Sequence, residues 1–300
     1  MAYFIVFIAF LDNMAQQPLI SPLAQSLGAS PLLAGWIFGA YSGANIIGNL
    51  LAPKLVEKKG LKPVLLVAFA VVGLALFSYS VIPNAQWMLG LRLIHGIAGG
   101  IVVPCIFTYI SHQRHYGLGM ATVGRVIGMT AILGPGTAGI VSGIWGFGAP
   151  FIGLSILYAA ALLLILRLPP KAEVLEVVGS LYTVWSSAGL KIAYGASFSL
   201  MFAMGMMGFW LPLQMQTLGY GANYTGISFF VFGLFAIAIM RTGAKMALKN
   251  PVITTALGFA FIVMAMSSLT WASTLPFVAA AMAVFGIGFG IVFPTMNILV

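Results

Sequence analysis

Ten runs of about twenty mostly apolar residues leave this chain little choice of fold. They lie near 3–27, 31–53, 62–82, 86–110, 118–143, 149–167, 191–215, 222–241, 251–271 and 275–300. A helix of that length crosses a hydrocarbon core of roughly 30 Å, and a helix satisfies every backbone N–H and C=O without help from water. The runs therefore predict an all-helical integral membrane protein with ten spans. Only 6% of the 300 residues are charged, 61% are hydrophobic and the mean hydropathy is +1.10. A soluble domain holds about a quarter charged residues, so the lipid bilayer is the expected surrounding. The formal charge of +9 would suggest nucleic acid as the partner of a soluble protein. Here the basic residues fall in short loops between apolar runs, so they report topology and nucleic acid is set aside.

The chain also contains a duplication. Gly96-Ile97-Ala98-Gly99-Gly100-Ile101-Val102-Val103-Pro104 returns 190 residues later as Gly286-Ile287-Gly288-Phe289-Gly290-Ile291-Val292-Phe293-Pro294. Gly96 and Gly100, like Gly286 and Gly290, are four apart, so each pair forms a smooth stripe where another backbone can come close. Pro104 and Pro294 then bend their helices. Parallel repeats of six spans each are one plan of secondary transporters. The first copy falls in the fourth span and the second in the tenth, so twelve spans are expected in the complete protein. The 300-residue stretch is then expected to be inactive alone. The domains predicted are a six-span amino-terminal half, 1–167, a cytoplasmic linker, 168–190, and a carboxy-terminal half, 191–300, with four spans present. The linker holds Pro169, Pro170, Lys171, Glu173 and Glu176.

Sorting the bases by loop orients the chain. Lys54, Lys58, Lys59, Lys62, Arg114, Arg167, Lys171, Lys191, Arg241, Lys245 and Lys249 collect on one side, and the other side's loops hold no Lys or Arg. The positive-inside rule makes the first side, with the amino terminus, cytoplasmic. A multi-pass protein of the plasma (inner) membrane is expected. Met1 leads straight into an apolar run without a basic region or cleavage site, so that run is expected to be a span rather than a removed signal. Cys105, beside Pro104, is expected to pack as a small hydrophobe. No cofactor and no metal ligand set is expected.

After the second run the chain reads Gly48-Asn49-Leu50-Leu51-Ala52-Pro53-Lys54-Leu55-Val56-Glu57-Lys58-Lys59-Gly60-Leu61-Lys62. This is similar to the signature loop of the major facilitator superfamily, with Glu57 for the usual Asp and Lys58 for the usual Arg. The resemblance implies a cytoplasmic gate built from Gly48, Glu57, Lys58, Gly60 and Lys62, in which Glu57 caps a neighbouring helix or pairs with a base. In the fourth run, Arg92-Leu93-Ile94-His95-Gly96 resembles the family's arginine motif, with His95 in place of a Gln. In the fifth, Gly134-Pro135-Gly136-Thr137-Ala138-Gly139 resembles the glycine-proline motif of the antiporter branch, drug:proton exchangers above all. Gly134, Pro135 and Gly139 match it, and Ala138 replaces one glycine. Arg241-Thr242-Gly243-Ala244-Lys245 sits where a second signature loop belongs, without an acid.

Asp12 is the one acid expected inside the membrane, within Asp12-Asn13-Met14-Ala15-Gln16-Gln17-Pro18. Asp12 and Gln16 share a helical face, flanked by Asn13 and Gln17. Four polar side chains in six residues call for a cavity or polar partners. An arginine in a span, Arg92, is likewise a functional candidate. Helix rise puts Asp12 about 14 Å from the inner end of its span and Arg92 about 9 Å from the outer end of its own. That leaves room for a full turn between them, with a direct pair neither required nor excluded. Asp12, Arg92 and His95 are the expected proton-coupling residues. Asn13, Gln16 and Gln17, with Phe202, Met206 and Phe289 from the aromatic- and methionine-rich second half, are the expected substrate cavity; soft walls of that kind suit varied apolar ligands.

Together these readings predict a monomeric secondary transporter that exports small, mainly apolar compounds in exchange for protons. A transporter of a specific anionic metabolite, with Arg92 and Arg125 as the anion's partners, is the alternative. A membrane enzyme or lipid-handling protein using Asp12 and His95 as an acid/base pair is a further one. The orientation is testable in intact cells. Single cysteines at Ala29 and Ser273 should react with an impermeant thiol reagent and one at Glu176 should not; labelling at Glu176 would reverse the topology.

Overall fold

In the computed structural model, residues 2–111, 116–167 and 188–299 are described. His112, Arg114 and His115, and the linker residues Pro169, Pro170, Lys171, Glu173 and Glu176, lie outside them. Every described element is a helix, and the chain divides into two compact units, Met1–Glu176 and Val177–Val300.

The first unit opens with a broken helix. The expected span at 3–27 is instead α1 (Ala2–Ala15) and α2 (Ile20–Ser26), bent by 51° across four residues. Pro18 sits in the break and has no N–H to donate. The Met14 carbonyl accepts from Gln17 N–H at 3.3 Å instead. α2 ends at Gly28, where φ is +82° and the Ala29 N–H returns to the Ala24 carbonyl at 3.0 Å. Ser30 then caps α3 (Pro31–Lys59), its hydroxyl oxygen accepting from Leu33 N–H at 3.2 Å.

α3 outruns the expected span. It continues to Lys59, and Gly60 alone separates it from α4 (Leu61–Tyr79). Lys54, Lys58 and Lys59 are therefore helical rather than in a loop. The reversal depends on Gly60, whose φ of +82° a side chain would strain. α5 (Ala85–Ser111), α6 (Tyr116–Trp145) and α7 (Gly148–Leu166) complete the unit. The buried core includes Ile8, Ile37, Leu65, Phe69, Tyr79, Phe151 and Tyr158.

Apolar side chains gain little by leaving lipid for a neighbouring helix, so close backbone packing has to hold such bundles together. α3 and α5 illustrate it. A methyl group on Gly96 would lie 2.5 Å from the Tyr41 carbonyl oxygen, and one on Gly100 would overlap the carbonyl of Asn45. From the other side, a methyl group on Gly48 would overlap the Ile97 carbonyl.

The second unit repeats the device. It consists of α8 (Ala188–Thr217), α9 (Ala222–Lys249), α10 (Pro251–Leu269) and α11 (Leu275–Leu299). Gly286 meets the Phe232 carbonyl and Gly290 the Ala236 carbonyl, so α11 rests on α9 as α5 rests on α3. The turns correspond as well: Gly219 has φ +79°, and Tyr220 N–H returns to the Met215 carbonyl at 2.8 Å. Asn250 caps α10 through Ile253 N–H at 3.1 Å. The core is Leu200, Met207, Leu211, Phe229, Phe232, Ile262, Met282 and Phe285.

Among the described residues, eight helices, α4 to α11, are long and apolar enough to cross a membrane, and the bent α1–α2 pair makes nine. The expected ten is not reached, because α3 does not qualify on apolarity although its 29 residues suffice in length. Tyr41, Ser42, Asn45 and Asn49 dilute its apolar character.

The glycine contacts predict a matched pair of effects. Gly100→Ala and Gly290→Ala should each lower stability by ~1–3 kcal/mol through overpacking against backbone. Gly90→Ala and Gly205→Ala, where nothing lies within 4 Å of the added carbon, should leave it unchanged or raise it by up to ~1 kcal/mol. Thermal unfolding in detergent checks both.

Candidate functional site

Three of the ionisable groups that the sequence places in spans of the first unit converge. Asp12, Arg92 and His95 are 2%, 5% and 0% exposed. Such groups are tolerated only with partners, and the helix ends and close contacts above supply them.

Asp12 stands four residues before the break in α1, and its two oxygens have different neighbours. Oδ1 accepts from Gln16 Nε2 at 2.5 Å, one helical turn away. Oδ2 lies 3.0 Å from His95 Nε2 on α5 and accepts from the Tyr158 hydroxyl on α7 at 3.3 Å. The His95 tautomer with hydrogen on Nε2 donates to the carboxylate and leaves Nδ1 as an acceptor. Nδ1 is buried without a hydrogen-bond partner among the described residues.

Arg92 does not touch Asp12 directly. Its Nη1 donates to Gln16 Oε1 in a short hydrogen bond, so Gln16 spans the two charges with its own dipole aligned between them. The full turn of separation that helix rise allows is filled by that one amide. The rest of the guanidinium is held by α3: Nε donates to the Ile37 carbonyl at 3.2 Å and Nη2 to the Phe38 carbonyl at 3.4 Å. The Tyr41 ring lies 4.5 Å beneath Cζ, a cation–π contact. Tyr41 also packs edge-on to His95, with centroids 5.0 Å apart, and Tyr79 on α4 packs at 5.9 Å from the same ring.

α6 sets the position of α1. A methyl group on Gly134 would lie 2.8 Å from Met14 Cβ and 3.0 Å from Ala15 N, so the glycine lets α6 press on α1 at the break. Pro135 and Gly139 are buried beside it. Asn13, Gln16 and Gln17 line a small cavity of about 60 Å³ with Tyr41, Ser42 and Arg92. Arg125 is exposed on α6 and stands outside this cluster.

The other expected residues are more scattered. Gly48 and Gly60 serve the packing and the turn already described. Glu57 and Lys58 are exposed, and neither forms an ion pair with a described residue. Lys62 donates to the Leu166 carbonyl at the end of α7 at 2.6 Å. In the second unit, Phe202 is 60% exposed and stacks on Phe198, centroids 6.3 Å apart. Met206 lines a groove of about 540 Å³ with Met207, Phe209, Trp210 and Met266, between α8 and α10. Phe289 leans on the core through Phe232 and Phe293, each 5.4 Å away. These three do not form one site within the unit.

Sequence reasoning did not single out Tyr41, Tyr79 and Tyr158, or the carbonyls of Ile37 and Phe38. A tyrosine in the middle of an otherwise apolar span was the available signal for Tyr158. The carbonyls had none, because every residue has one.

The first unit is thus an apolar helical bundle that buries an acid, an arginine and a histidine together. The chain belongs to the Major Facilitator Superfamily, whose profile matches residues 2–300. It is similar to an uncharacterized MFS-type transporter of Mycobacterium tuberculosis, 32% identical over 116 residues, which are 37% of this chain and 28% of that one. A second relative from the same organism, described as a probable multidrug-efflux transporter, is 26% identical over 129 residues, 41% of this chain and 27% of the relative. The matched stretches thus span less than a third of these relatives' length. Among solved structures, a bacterial homologue of the human lysosomal transporter Spinster, in an inward-facing and unoccupied conformation, superposes with a TM-score of 0.76. Identity is 11%, over 99% of this chain and 73% of that one.

The guanidinium's three directed bonds yield a prediction. Arg92→Lys keeps the charge but places all its donors on one nitrogen, which cannot reach Ile37, Phe38 and Gln16 together. Thermal stability in detergent should fall by ~2 kcal/mol, and a change within the error of the measurement would show that these bonds do not hold the cluster.

Proposed function

We propose that this chain belongs to a secondary active transporter that exports small, mainly apolar compounds in exchange for protons by alternating access. Asp12 is the proton carrier. The observation that supports this is the carboxylate's surroundings: it is buried, within reach of His95 and Tyr158, and linked to Arg92 through one amide. Such a group can exist with or without a proton as its neighbours rearrange. The family's architecture supports alternating access between six-span halves, and the efflux description of a relative supports export. The glycine-proline stretch at Gly134 to Gly139 supports exchange by resemblance, and the methionine- and aromatic-lined groove at Met206 suits an adaptable apolar binder. The amino terminus and the basic ends of α3 and α9 face the cytoplasm in this reading, the protein works as a monomer in the plasma membrane, and Glu57 and Lys58 serve the cytoplasmic gate.

The anionic-metabolite reading has less support. It needs Arg92 and Arg125 on one ligand, and Arg92 already gives three donors to Ile37, Phe38 and Gln16.

The test is uphill transport by the whole protein in proteoliposomes with only a proton gradient supplied. Asp12→Asn keeps size and hydrogen bonding but cannot titrate. It should abolish uphill movement while downhill exchange and substrate binding persist; uphill transport at the native rate would place proton coupling on another group.

A further inference from the structure

The small cavity beside Arg92 has a polar wall: Asn13, Gln16, Gln17, Tyr41, Ser42 and Arg92 all contribute to its lining. About 60 Å³ is room for a few water molecules, each of which needs two to four polar partners, and this wall offers them. Gln17 Oε1 is buried and has no hydrogen-bond partner among the described residues. It is an acceptor that a water molecule would satisfy. Asp12 is not part of the lining. Gln16 stands between, one side facing the cavity and its Nε2 donating to Asp12 Oδ1.

We propose that this cavity is a water site from which protons reach Asp12, and that Gln16 is a positioning residue that shuts the carboxylate off from it and ties the carboxylate's proton to the hold on Arg92. The proposal rests on Asp12 as the proton carrier. Its logic lies in the amide. Gln16 serves Arg92 with its oxygen and Asp12 with its nitrogen, and both bonds exist together only while Oδ1 accepts. When a cavity hydronium gives its proton to Oδ1, an O–H bond forms there and water is left behind. To accept from that O–H, Gln16 must turn its oxygen toward Asp12, which sets its NH₂ against Arg92 Nη1, donor against donor. Protonation therefore works against the Arg92–Gln16 bond.

The other groups around the carboxylate leave Oδ1 as the point of entry. His95 from α5 and Tyr158 from α7 take Oδ2. Tyr41 from α3 and Tyr79 from α4 flank the pair, and α6 presents Gly134, which has no group to titrate.

Proton leak without substrate separates this from a structural role. The whole protein is sealed in liposomes with a trapped pH dye, a pH step is imposed, and the decay rate is read for wild type, Gln16→Ala and the double variant Asp12→Asn/Gln16→Ala. Opening the partition should speed the leak about tenfold, and the double variant should return it to the wild-type rate. If Gln16→Ala folds poorly in detergent, Gln16→Met takes its place, with the same bulk and neither hydrogen bond. A leak no faster than wild type in the folded variant overturns the gate, and so does a leak that persists in the double variant, since it would bypass the carboxylate. Either result leaves the reading of Asp12 to be judged by the uphill assay on Asp12→Asn alone, so the two failures are distinguishable.

Discussion

The approach of α5 to α3 at bare backbone is the contact on which the amino-terminal unit depends. Gly96 and Gly100 leave no side chain between the helices, so the carbonyls of α3 come within reach of side chains on α5. Arg92 lies about one turn before Gly96 and uses that proximity, placing its guanidinium on the carbonyls of Ile37 and Phe38. Larger residues at the glycines would push α5 outward and carry Arg92 away from both. A packing requirement and an electrostatic one are thus met by the same few residues. The second copy keeps the packing at Gly286 and Gly290 but has no arginine at the matching place, where Gly286 is preceded by Met282-Ala283-Val284-Phe285.

With Arg92 fixed, the cluster becomes a chain of polar groups rather than a single ion pair. A direct contact between Arg92 and Asp12 would hold the two charges together whatever else occurred. A bridging amide makes their association conditional on the amide's orientation. His95 and Tyr158 occupy the other oxygen, so groups from α1, α5 and α7 meet at one carboxylate. Displacement of any of these helices changes the company of that carboxylate, which is the physical requirement for coupling a proton to a conformational change.

Much of this was legible in the sequence, for identifiable reasons. The duplication was visible because glycine and proline are irreplaceable at close contacts and bends, and the structure uses Gly96, Gly100, Gly286 and Gly290 in the same way. Asp12, Arg92 and His95 stood out because charge is rare in apolar runs. What stayed hidden depended on direction in space. Gln16 was visible as a polar neighbour of Asp12, but its role as the bridge requires the depth of α5 relative to α1. Pro18 was visible too, yet the run around it is apolar enough to read as one continuous span; the break appears only where the backbone loses a donor. Tyr158 was visible as a tyrosine in an apolar span, but not as a partner of Asp12, which depends on how α7 packs on α1. The tenth span is not confirmed at α3, a helix long enough to cross whose mean apolarity Tyr41, Ser42, Asn45 and Asn49 lower.

That polarity bears on how the protein is made. A segment entering the bilayer during synthesis is judged first on its own apolarity, and α3 is the long helix that falls short of the measure its neighbours meet. Its Asn49 Nδ2 donates to the Asn45 carbonyl and side chain at 3.0 and 2.8 Å, which lessens the cost within the helix. The glycine face of α5, however, is translated only after α4 has emerged. Until then α3 lacks the neighbour that its backbone fits. The backbone contact that holds α3 is therefore one it can make only with a helix synthesised after it.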